Sequence, residues 1–327
     1  MESLNYIWVD NLSAKEWDAI LASLGGHPLQ SATWGDSKKT EGVQDARWCA
    51  YQKGLPVFLA RMEERRFLHW FKIAWIPRGF SLDEYDKNIK KEFLKHLRKQ
   101  GFLACLSSVY KKIPADLSSK VKQHTICLDL TQGLDTLWMN LNAKFRGQVR
   151  SARKKNIMVS ISASPEDMHH FYDACINISR EKKFSLHTSR KNFNALLKSA
   201  DYSQPVCPYL FVARKENVFC GGILAFVCGN SIHTWLAVVD RKFCRLSIGE
   251  LLYWEVTEWA CKKGLKIYDL EGIDVRNNHS VYEFKRKMNG ETVAFPGIQF
   301  YALSILAWPY FIFKAARDVF MRILKIA

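Results

Sequence analysis

The sequence predicts a mixed α/β fold built from two similar units, and three observations carry this prediction. Short apolar runs are joined in pairs by Lys53-Gly54 and by Lys215-Glu216-Asn217, which is the pattern of β-hairpins. After each hairpin the chain continues through a further strand into a helix that ends in basic residues. A glycine and an apolar strand follow each helix, at Gly101 and at Gly264. The same order of elements therefore occurs twice.

The first half of the chain contains the first set of elements. Residues 15–24 have apolar side chains at helical spacing, with Ser13 as the N-cap and Gly25-Gly26 as the stop. Strands are predicted at 47–52, 56–61 and 67–76, followed by a helix at 88–100 and a strand at 102–107.

The second half repeats the pattern, with strands at 209–214, 218–227 and 231–239, a helix at 249–263 and a strand at 266–270. We therefore predict one domain at 1–135 and a second at 136–300. The remainder, 301–327, is predicted to form an amphipathic helix. Its apolar face either packs on the first domain or lies on an anionic membrane surface, and the sequence leaves both interpretations open.

Composition narrows the class of protein. The 327 residues are 48% hydrophobic and 13% aromatic, which excludes a disordered chain, and the formal charge is +16. A surface of that sign attracts phosphate, whether in tRNA, a nucleotide-linked sugar, CoA or an anionic membrane. The nine cysteines show neither C-x-x-C nor zinc spacing. The N-terminus lacks signal-peptide features. We expect a reduced, cytoplasmic protein without a structural metal. A peripheral location at the inner face of the membrane is the alternative.

A basic segment at 144–155 lies where the two halves join. Six of its twelve residues are cations, and Arg146, Arg150 and Arg153 fall near one helix face. The segment is either a solvated helix surface or a binding site for a polyanion, and we favour the binding site.

Several segments, spread over most of the chain, resemble the FemABX family of non-ribosomal peptidyltransferases. They are L-Q-S-A-T-W-G at 29–35, I-P-R-G-F at 76–80, the basic segment at 144–155, residues 251–264, D-L-E-G-I-D at 269–274, and Y-E-F-K-R-K-M-N-G at 282–290. Phe80 stands where the family usually has proline. The resemblance implies two tandem domains of the GNAT (N-acetyltransferase) type.

The resemblance also implies an activity, namely transfer of an aminoacyl group from aminoacyl-tRNA to an amine of a phosphate-bearing or lipid-linked peptidoglycan precursor. No cofactor is expected beyond the co-substrate, aminoacyl-tRNA or acyl-CoA. Residues 245–250 lack the usual acetyl-CoA loop, and Glu250 would disfavour pyrophosphate at a helix N-terminus. Two alternatives remain: an N-acyltransferase using acyl-CoA or an acyl carrier on a sugar or lipid, and a basic nucleic-acid-binding protein without enzymatic activity.

The family motif implies site residues. Lys285 is the candidate for stabilising the oxyanion, Phe284 for a wall of the site, and Glu283 or Asp274 for accepting a proton or orienting the amine. Substrate contacts are expected from Trp34, Lys38, Arg78, Arg146, Arg150 and Arg153. No Ser-His-Asp or Cys-His pattern is evident, so a covalent enzyme intermediate is not expected. We interpret His69, His233 and His279 as ordinary structural or surface residues.

Overall fold

A computed structural model of the protein describes residues 6–67, 70–80, 82, 85–114, 123–182, 184–186, 188–274 and 278–308. In chain order the strands are β1 (Ile7–Val9), β2 (Asp45–Gln52), β3 (Leu55–Phe67), β4 (Phe71–Gly79), β5 (Ala104–Val109), β6 (Ile113–Pro114), β7 (Gln123–Asp129), β8 (Ile157–Ile161), β9 (Val206–Lys215), β10 (Val218–Cys228), β11 (Ser231–Val239), β12 (Ile267–Asp269), β13 (Glu291–Phe295) and β14 (Ile298–Ala302). The helices are α1 (Ala14–Ser23), α2 (Ala32–Lys39), α3 (Lys87–Lys99), α4 (Leu134–Asn140), α5 (Ala143–Lys154), α6 (Pro165–Glu181), α7 (Arg190–Lys198), α8 (Ile248–Lys262) and α9 (His279–Arg286).

These elements form two compact units. Unit 1 contains the described residues of Met1–Asn11, Val43–Lys111 and Gly297–Ala327, and unit 2 those of Leu12–Gly42 and Lys112–Pro296. Each unit has one mixed sheet with helices packed on it, so the prediction of a mixed α/β fold with a repeated unit is confirmed.

The sheet of unit 1 has the strand order β1-β2-β3-β4-β5-β14. Its parallel pair is β4 and β5, which α3 connects, while the neighbouring strands run antiparallel. The helix is amphipathic at a spacing of four residues, and it buries Ile89, Phe93 and Leu97 in a core with Phe58 and Ala74. Gly101 ends this helix in the left-handed region, at φ +80°, which a residue with a Cβ adopts only under strain.

Unit 2 repeats this arrangement in a sheet of order β6-β13-β7-β12-β11-β10-β9-β8. Its parallel pair is β11 and β12, and α8 connects them. Successive residues of β9 pack into different clusters, Phe211 with α5 and α8 and Leu210 with α6 and α7, because side chains alternate between the faces of a strand. Helices therefore cover both faces of this sheet.

The compact units differ from the division predicted at residue 135. Helices α1 and α2 belong to unit 2, because Trp34 packs there against Phe226 and Trp235. Strand β7 is also part of the sheet of unit 2. After residue 296 the chain returns to unit 1, where β14 pairs with β5.

One strand prediction was wrong. The predicted strand at 67–76 spans the end of β3 and most of β4, because the apolar composition continues across the connection between them. Trp70, which precedes β4, is exposed. Periodicity alone cannot divide an apolar run of this kind. The helix predicted after Pro309 lies outside the described residues.

Candidate active site

The D-L-E-G-I-D segment forms the end of β12 and the turn that follows it. Strand β12 pairs in parallel with β11, and Asp269 lies opposite His233 in that register. Glu271 then bends the chain at a left-handed φ of +56°, and the N–H of Ile273 donates to the carbonyl of His124 on β7. Polar residues therefore gather where β12 ends, as sites in α/β folds commonly do.

Lys285, the predicted catalytic residue, is buried on α9 and reaches this turn. Its Nζ donates to the carbonyl oxygen of Glu271 at 2.6 Å and to that of Gly272 at 3.1 Å. The side chain is 6% exposed. Burial lowers the pKa of Lys285 to about 8, and the charges of Glu271 and Asp269 offset part of that decrease. The lysine is thus a buried cation next to two carboxylates.

Asp269 is fully buried beneath the turn. Its Oδ1 accepts from the hydroxyl of Thr125 and from the N–H of Glu271, the latter at 2.8 Å. Its Oδ2 has no hydrogen-bond partner among the described residues and lies 3.9 Å from His233 Nδ1. Burial raises the pKa of Asp269, and the negative charge of Glu271 raises it further.

The carboxylate of Glu271 contacts two buried histidines. Its Oε1 lies 2.8 Å from His27 Nε2 and 2.9 Å from His233 Nδ1. The three ligand-type atoms lie within 4.8 Å of one another, so these residues could hold a metal ion. The N–H of Leu29 donates to His27 Nδ1 at 3.1 Å, however, so the ring proton of neutral His27 belongs on Nε2. That proton occupies the position through which His27 would coordinate a metal, and the geometry fits hydrogen bonding better.

Neither His27, Glu271 nor Asp269 was predicted as a site residue. Asp269 and Glu271 belong to the D-L-E-G-I-D motif, from which only Asp274 was selected, and no motif links the distant His27 to the turn. His233 was interpreted as structural, and it is buried, but its hydrogen bond to Glu271 connects it to the turn that contacts Lys285.

The other residues of the α9 motif have different surroundings. Phe284 packs its ring against Phe145 and Tyr253, with centroids 5.8 and 5.2 Å away, so it joins α9 to the core. Glu283 pairs with Arg286 at 2.7 Å on the outer surface of α9, and that guanidinium lowers the pKa of Glu283. Glu283 and Lys285 are two residues apart, which is a rotation of about 200° around the helix axis. Their side chains therefore lie on different faces of α9. Asp274 is half-buried at the end of the turn, and its carbonyl accepts from Asn278.

The predicted acceptor-binding residues fall in both units. Trp34 is 3% exposed in the core of unit 2, and Lys38 lies on the same helix. The Nζ of Lys38 is 2.6 Å from a carboxylate oxygen of Glu41 and 5.4 Å from the ring centre of Trp34. Arg78 belongs to unit 1, where it takes a left-handed φ of +49° at an irregularity in the β4–β5 pairing. Trp34 therefore has a packing role, which its sequence motif did not indicate.

The three arginines of α5 are used differently. Arg146 donates to the carbonyl oxygens of Met139 and Leu141, at 2.6 and 2.7 Å, and so caps the C-terminus of α4. Arg153 pairs with Glu255 and Glu258 on α8, at 2.8 and 2.9 Å. Arg150 is exposed, with its guanidinium 5.4 Å from the ring centre of Trp138. Two of the three cations are thus bound within the protein, and the arginines do not form one open anion site.

A separate cavity of about 510 Å³ opens beside β7, β12 and β13 in unit 2. Its polar walls include Lys112, Asp129, Lys266 and Glu291. None of the predicted site residues lines it, so it is distinct from the turn that contacts Lys285.

Comparison with known proteins defines the class. Residues 142–286 match the family model described as an acetyltransferase (GNAT) domain, a range that includes Lys285. No curated protein matches the sequence. The match identifies residues 142–286 as a GNAT-type domain, and the fold of the chain agrees with it.

Solved structures specify the fold further. The crystal structure of FemX matches with a TM-score of 0.79 at 14% identity, covering 94% of this chain and 99% of that one. The C-terminal domain of a putative lysylphosphatidylglycerol synthetase from Agrobacterium fabrum matches with a TM-score of 0.54 at 12% identity, covering 93% and 96%. A tandem GNAT protein from the clavulanic acid biosynthesis pathway gives 0.52 at 12% identity, covering 92% and 99%. The chain therefore has the tandem GNAT fold seen in FemX, as the sequence motifs predicted.

Among the described residues, no helix combines the length and the apolar character that crossing a membrane requires.

Proposed function

We propose that this protein transfers an aminoacyl group from aminoacyl-tRNA to an amine of a cell-envelope precursor. The observation that carries the proposal is the buried ammonium of Lys285 at the end of β12, inside the matched GNAT domain. The proposal is also supported by the fold that this chain shares with FemX and with the C-terminal domain of a putative lysylphosphatidylglycerol synthetase.

The reaction needs electrostatic stabilisation more than it needs a nucleophilic side chain. The acceptor amine attacks the ester carbonyl of the donor, a C–N bond forms, and negative charge develops on the carbonyl oxygen. Collapse of this intermediate breaks the ester C–O bond, and the ribose oxygen of the tRNA leaves with the proton that the amine gives up. A fixed cation aimed at the carbonyl oxygen lowers the barrier to the first step.

Lys285 has the geometry for that role. An ammonium has three N–H donors, and within the described residues two of them go to the carbonyls of Glu271 and Gly272. We assign the third to the developing oxyanion. Burial strengthens such an interaction, because less water screens the charge.

The proton acceptor is best assigned to Asp274. Glu283 is bound to Arg286 at the surface, which makes its carboxylate a weaker base. Asp274 lies at the end of the same turn that contacts Lys285. Its role in receiving or relaying the amine proton is part of the proposal.

A polyanionic donor suits the cationic surfaces. Lys87, Lys91, Lys95 and Lys99 recur every fourth residue along α3, all are exposed, and none pairs with a carboxylate of a described residue. Like charges at this spacing destabilise a helix, so a compensating polyanion would stabilise it. We propose that this lysine stripe of unit 1 contributes to tRNA binding.

An acyl-CoA-dependent N-acyltransferase is the second candidate, and the match to an acetyltransferase domain favours it. The start of α8 is less suited to pyrophosphate. Its N-cap residue Ser247 makes no side-chain capping bond, and Glu250 places a negative charge in the first turn.

Donor discharge distinguishes the two candidates. The protein would be incubated with a pool of charged tRNA and, separately, with acetyl-CoA, each with an envelope extract as the source of acceptor. We expect the aminoacyl ester to be lost only when both the protein and the acceptor are present. Replacing Lys285 by methionine should prevent this loss. Consumption of the thioester with the aminoacyl ester untouched would establish the second candidate instead.

A further inference from the structure

Two buried histidines contact the side chain of Glu271, whose carbonyl oxygen accepts from Lys285. His27 and His233 are each 2% exposed, and their ring centres are 4.8 Å apart. Both face the same carboxylate oxygen of Glu271. Neither histidine contacts Lys285 directly through any hydrogen bond of the described residues.

The hydrogen bonds around this cluster fix which groups donate. His27 Nδ1 accepts the N–H of Leu29, so Nε2 carries the proton and donates to Glu271. The hydroxyl of Ser231 donates to the carbonyl of Cys228 at 2.9 Å, and its oxygen lies 3.0 Å from His233 Nε2. His233 therefore contacts Ser231 through Nε2 and Glu271 through Nδ1, so both of its ring nitrogens have partners.

Glu271 itself takes a backbone conformation that a residue with a side chain rarely adopts. At φ +56° it lies in the left-handed region, where a residue other than glycine is strained. Hydrogen bonds of its side chain, its N–H and its carbonyl hold it there. The side chain binds the two histidines, the N–H donates to Asp269, and the carbonyl accepts from Lys285.

We propose that His27 and His233 are positioning residues for Lys285. By holding the Glu271 carboxylate, they fix the left-handed turn whose carbonyl oxygens orient the Lys285 ammonium. This inference rests on the proposed function for the catalytic role of Lys285. It adds His27, which precedes the matched GNAT domain, and His233, which lies within it.

The charge of Glu271 favours the ammonium form of Lys285, which the hydrogen bonds of the turn orient. The Glu271 carboxylate opposes the lowering of the pKa of Lys285 that burial causes, and so does Asp269. Cys127 on β7 is uncharged near these carboxylates, because burial raises the pKa of its thiol to about 12. The titratable groups of this region include Asp269, Glu271, Lys285, His27 and His233, with Cys127 and His124 on β7, Tyr268 on β12 and Lys112.

The test replaces Glu271 by glutamine, which keeps the size of the side chain and removes its charge. Glu181→Gln is the matched control, because it removes a carboxylate that pairs with Arg241 on the surface of unit 2. The titration of the Lys285 Nζ would be followed by NMR with isotopically labelled lysine and assigned by comparison with Lys285→Arg. We expect Glu271→Gln to lower the midpoint by about one pH unit and Glu181→Gln to leave it unchanged.

Kinetics supply the second readout. In Glu271→Gln we expect kcat to fall by about 10- to 100-fold with little change in KM, because orientation of the ammonium matters in the transition state. His233→Ala should act likewise, and His233→Gln, which keeps one donor, should recover part of the loss. An unchanged Lys285 titration together with an unchanged kcat in Glu271→Gln would overturn the proposal.

Three further outcomes are distinguishable. Should Glu271→Gln fail to fold, His27→Gln would be measured instead. It leaves the charge of Glu271 in place, so we expect kcat to fall with little change in the Lys285 midpoint, and an unchanged kcat would overturn the proposal. Loss of wild-type activity on chelation, restored by added zinc, would overturn the proposal in favour of a metal held by these three residues. Full activity of Lys285→Met with a shifted Lys285 titration in Glu271→Gln would refute the catalytic role of Lys285 and retain the structural coupling.

Discussion

The Nζ atom of Lys285 lies 2.6 Å from the carbonyl oxygen of Glu271. A lysine buried on the inner face of a helix would ordinarily lose much of its preference for the charged form. Here two carbonyl dipoles and two nearby carboxylates compensate the ammonium. The fixed dipoles and charges of the turn after β12 therefore replace part of the stabilisation that solvent gives the ammonium of an exposed lysine.

Replacing Lys285 by methionine should slow transfer by about 10²–10³-fold, the usual effect of losing one preorganised oxyanion donor. Comparing kcat of this variant with that of the wild type measures the effect.

The ammonium of Lys285 is the active form, and burial lowers its pKa to about 8, so wild-type activity should fall as pH rises through about 8. A pH–rate profile of kcat checks this, with Lys285→Arg as the variant that retains charge. Activity that increases through the same range would identify Lys285 as a general base instead.

The same pKa predicts how stability depends on pH. Lys285 binds its proton up to about pH 8 when folded, and up to about 10.5 when the chain is unfolded. The unfolded state therefore binds more protons between these pH values. As pH rises through this window, the contribution of Lys285 to the free energy of unfolding increases, so the folded protein becomes more stable. Denaturant unfolding of the wild type and of Lys285→Met at several pH values isolates the contribution by difference. Parallel pH dependences of the two proteins would contradict it.

The repeated α/β unit could be predicted from the sequence because its signals are local. Gly101 and Gly264 both have a positive φ after a helix, as their positions indicated, and Ser13 forms the predicted N-cap. The basic character of residues 144–155 was equally visible in the sequence. What each arginine binds was not, since the carbonyls at the end of α4 and the two glutamates of α8 come from separate elements.

The cluster around Glu271 could not be predicted for the same reason. His27 is 244 residues away from Glu271 along the chain, and only the packing of α1 and α2 in unit 2 brings them together. Lys285 could be identified from its motif, but its burial depends on the turn after β12. Sequence patterns thus indicated which residue carries the charge, and the tertiary structure determines what holds it.

Trp34 should behave as a core residue, although its motif suggested substrate contact. Removing its buried ring from between Phe226 and Trp235 should cost about 3–5 kcal/mol of stability in Trp34→Ala. The exposed Trp70 is the matched control, and Trp70→Ala should change stability by less than about 0.5 kcal/mol. Chemical denaturation measures both. A Trp34→Ala protein of normal stability but raised KM would restore the substrate-binding role.

The lysine stripe of α3 should account for part of the salt dependence of tRNA binding. Each phosphate contact made by a cation contributes about 0.7–0.9 to the slope of log K against log salt, so changing Lys87, Lys91, Lys95 and Lys99 to glutamine should reduce the slope by up to about 3. The control variant carries glutamine at four other exposed lysines, Lys53, Lys191, Lys198 and Lys262, and so has the same net charge. Fluorescence anisotropy with labelled tRNA between low and physiological salt measures both slopes.

Because the two variants differ only in where charge is removed, equal slopes would mean that the protein attracts tRNA through its overall charge. A reduced slope in the stripe variant alone would place phosphate contacts on α3, and the same variant tested against anionic vesicles shows whether those contacts are specific to RNA.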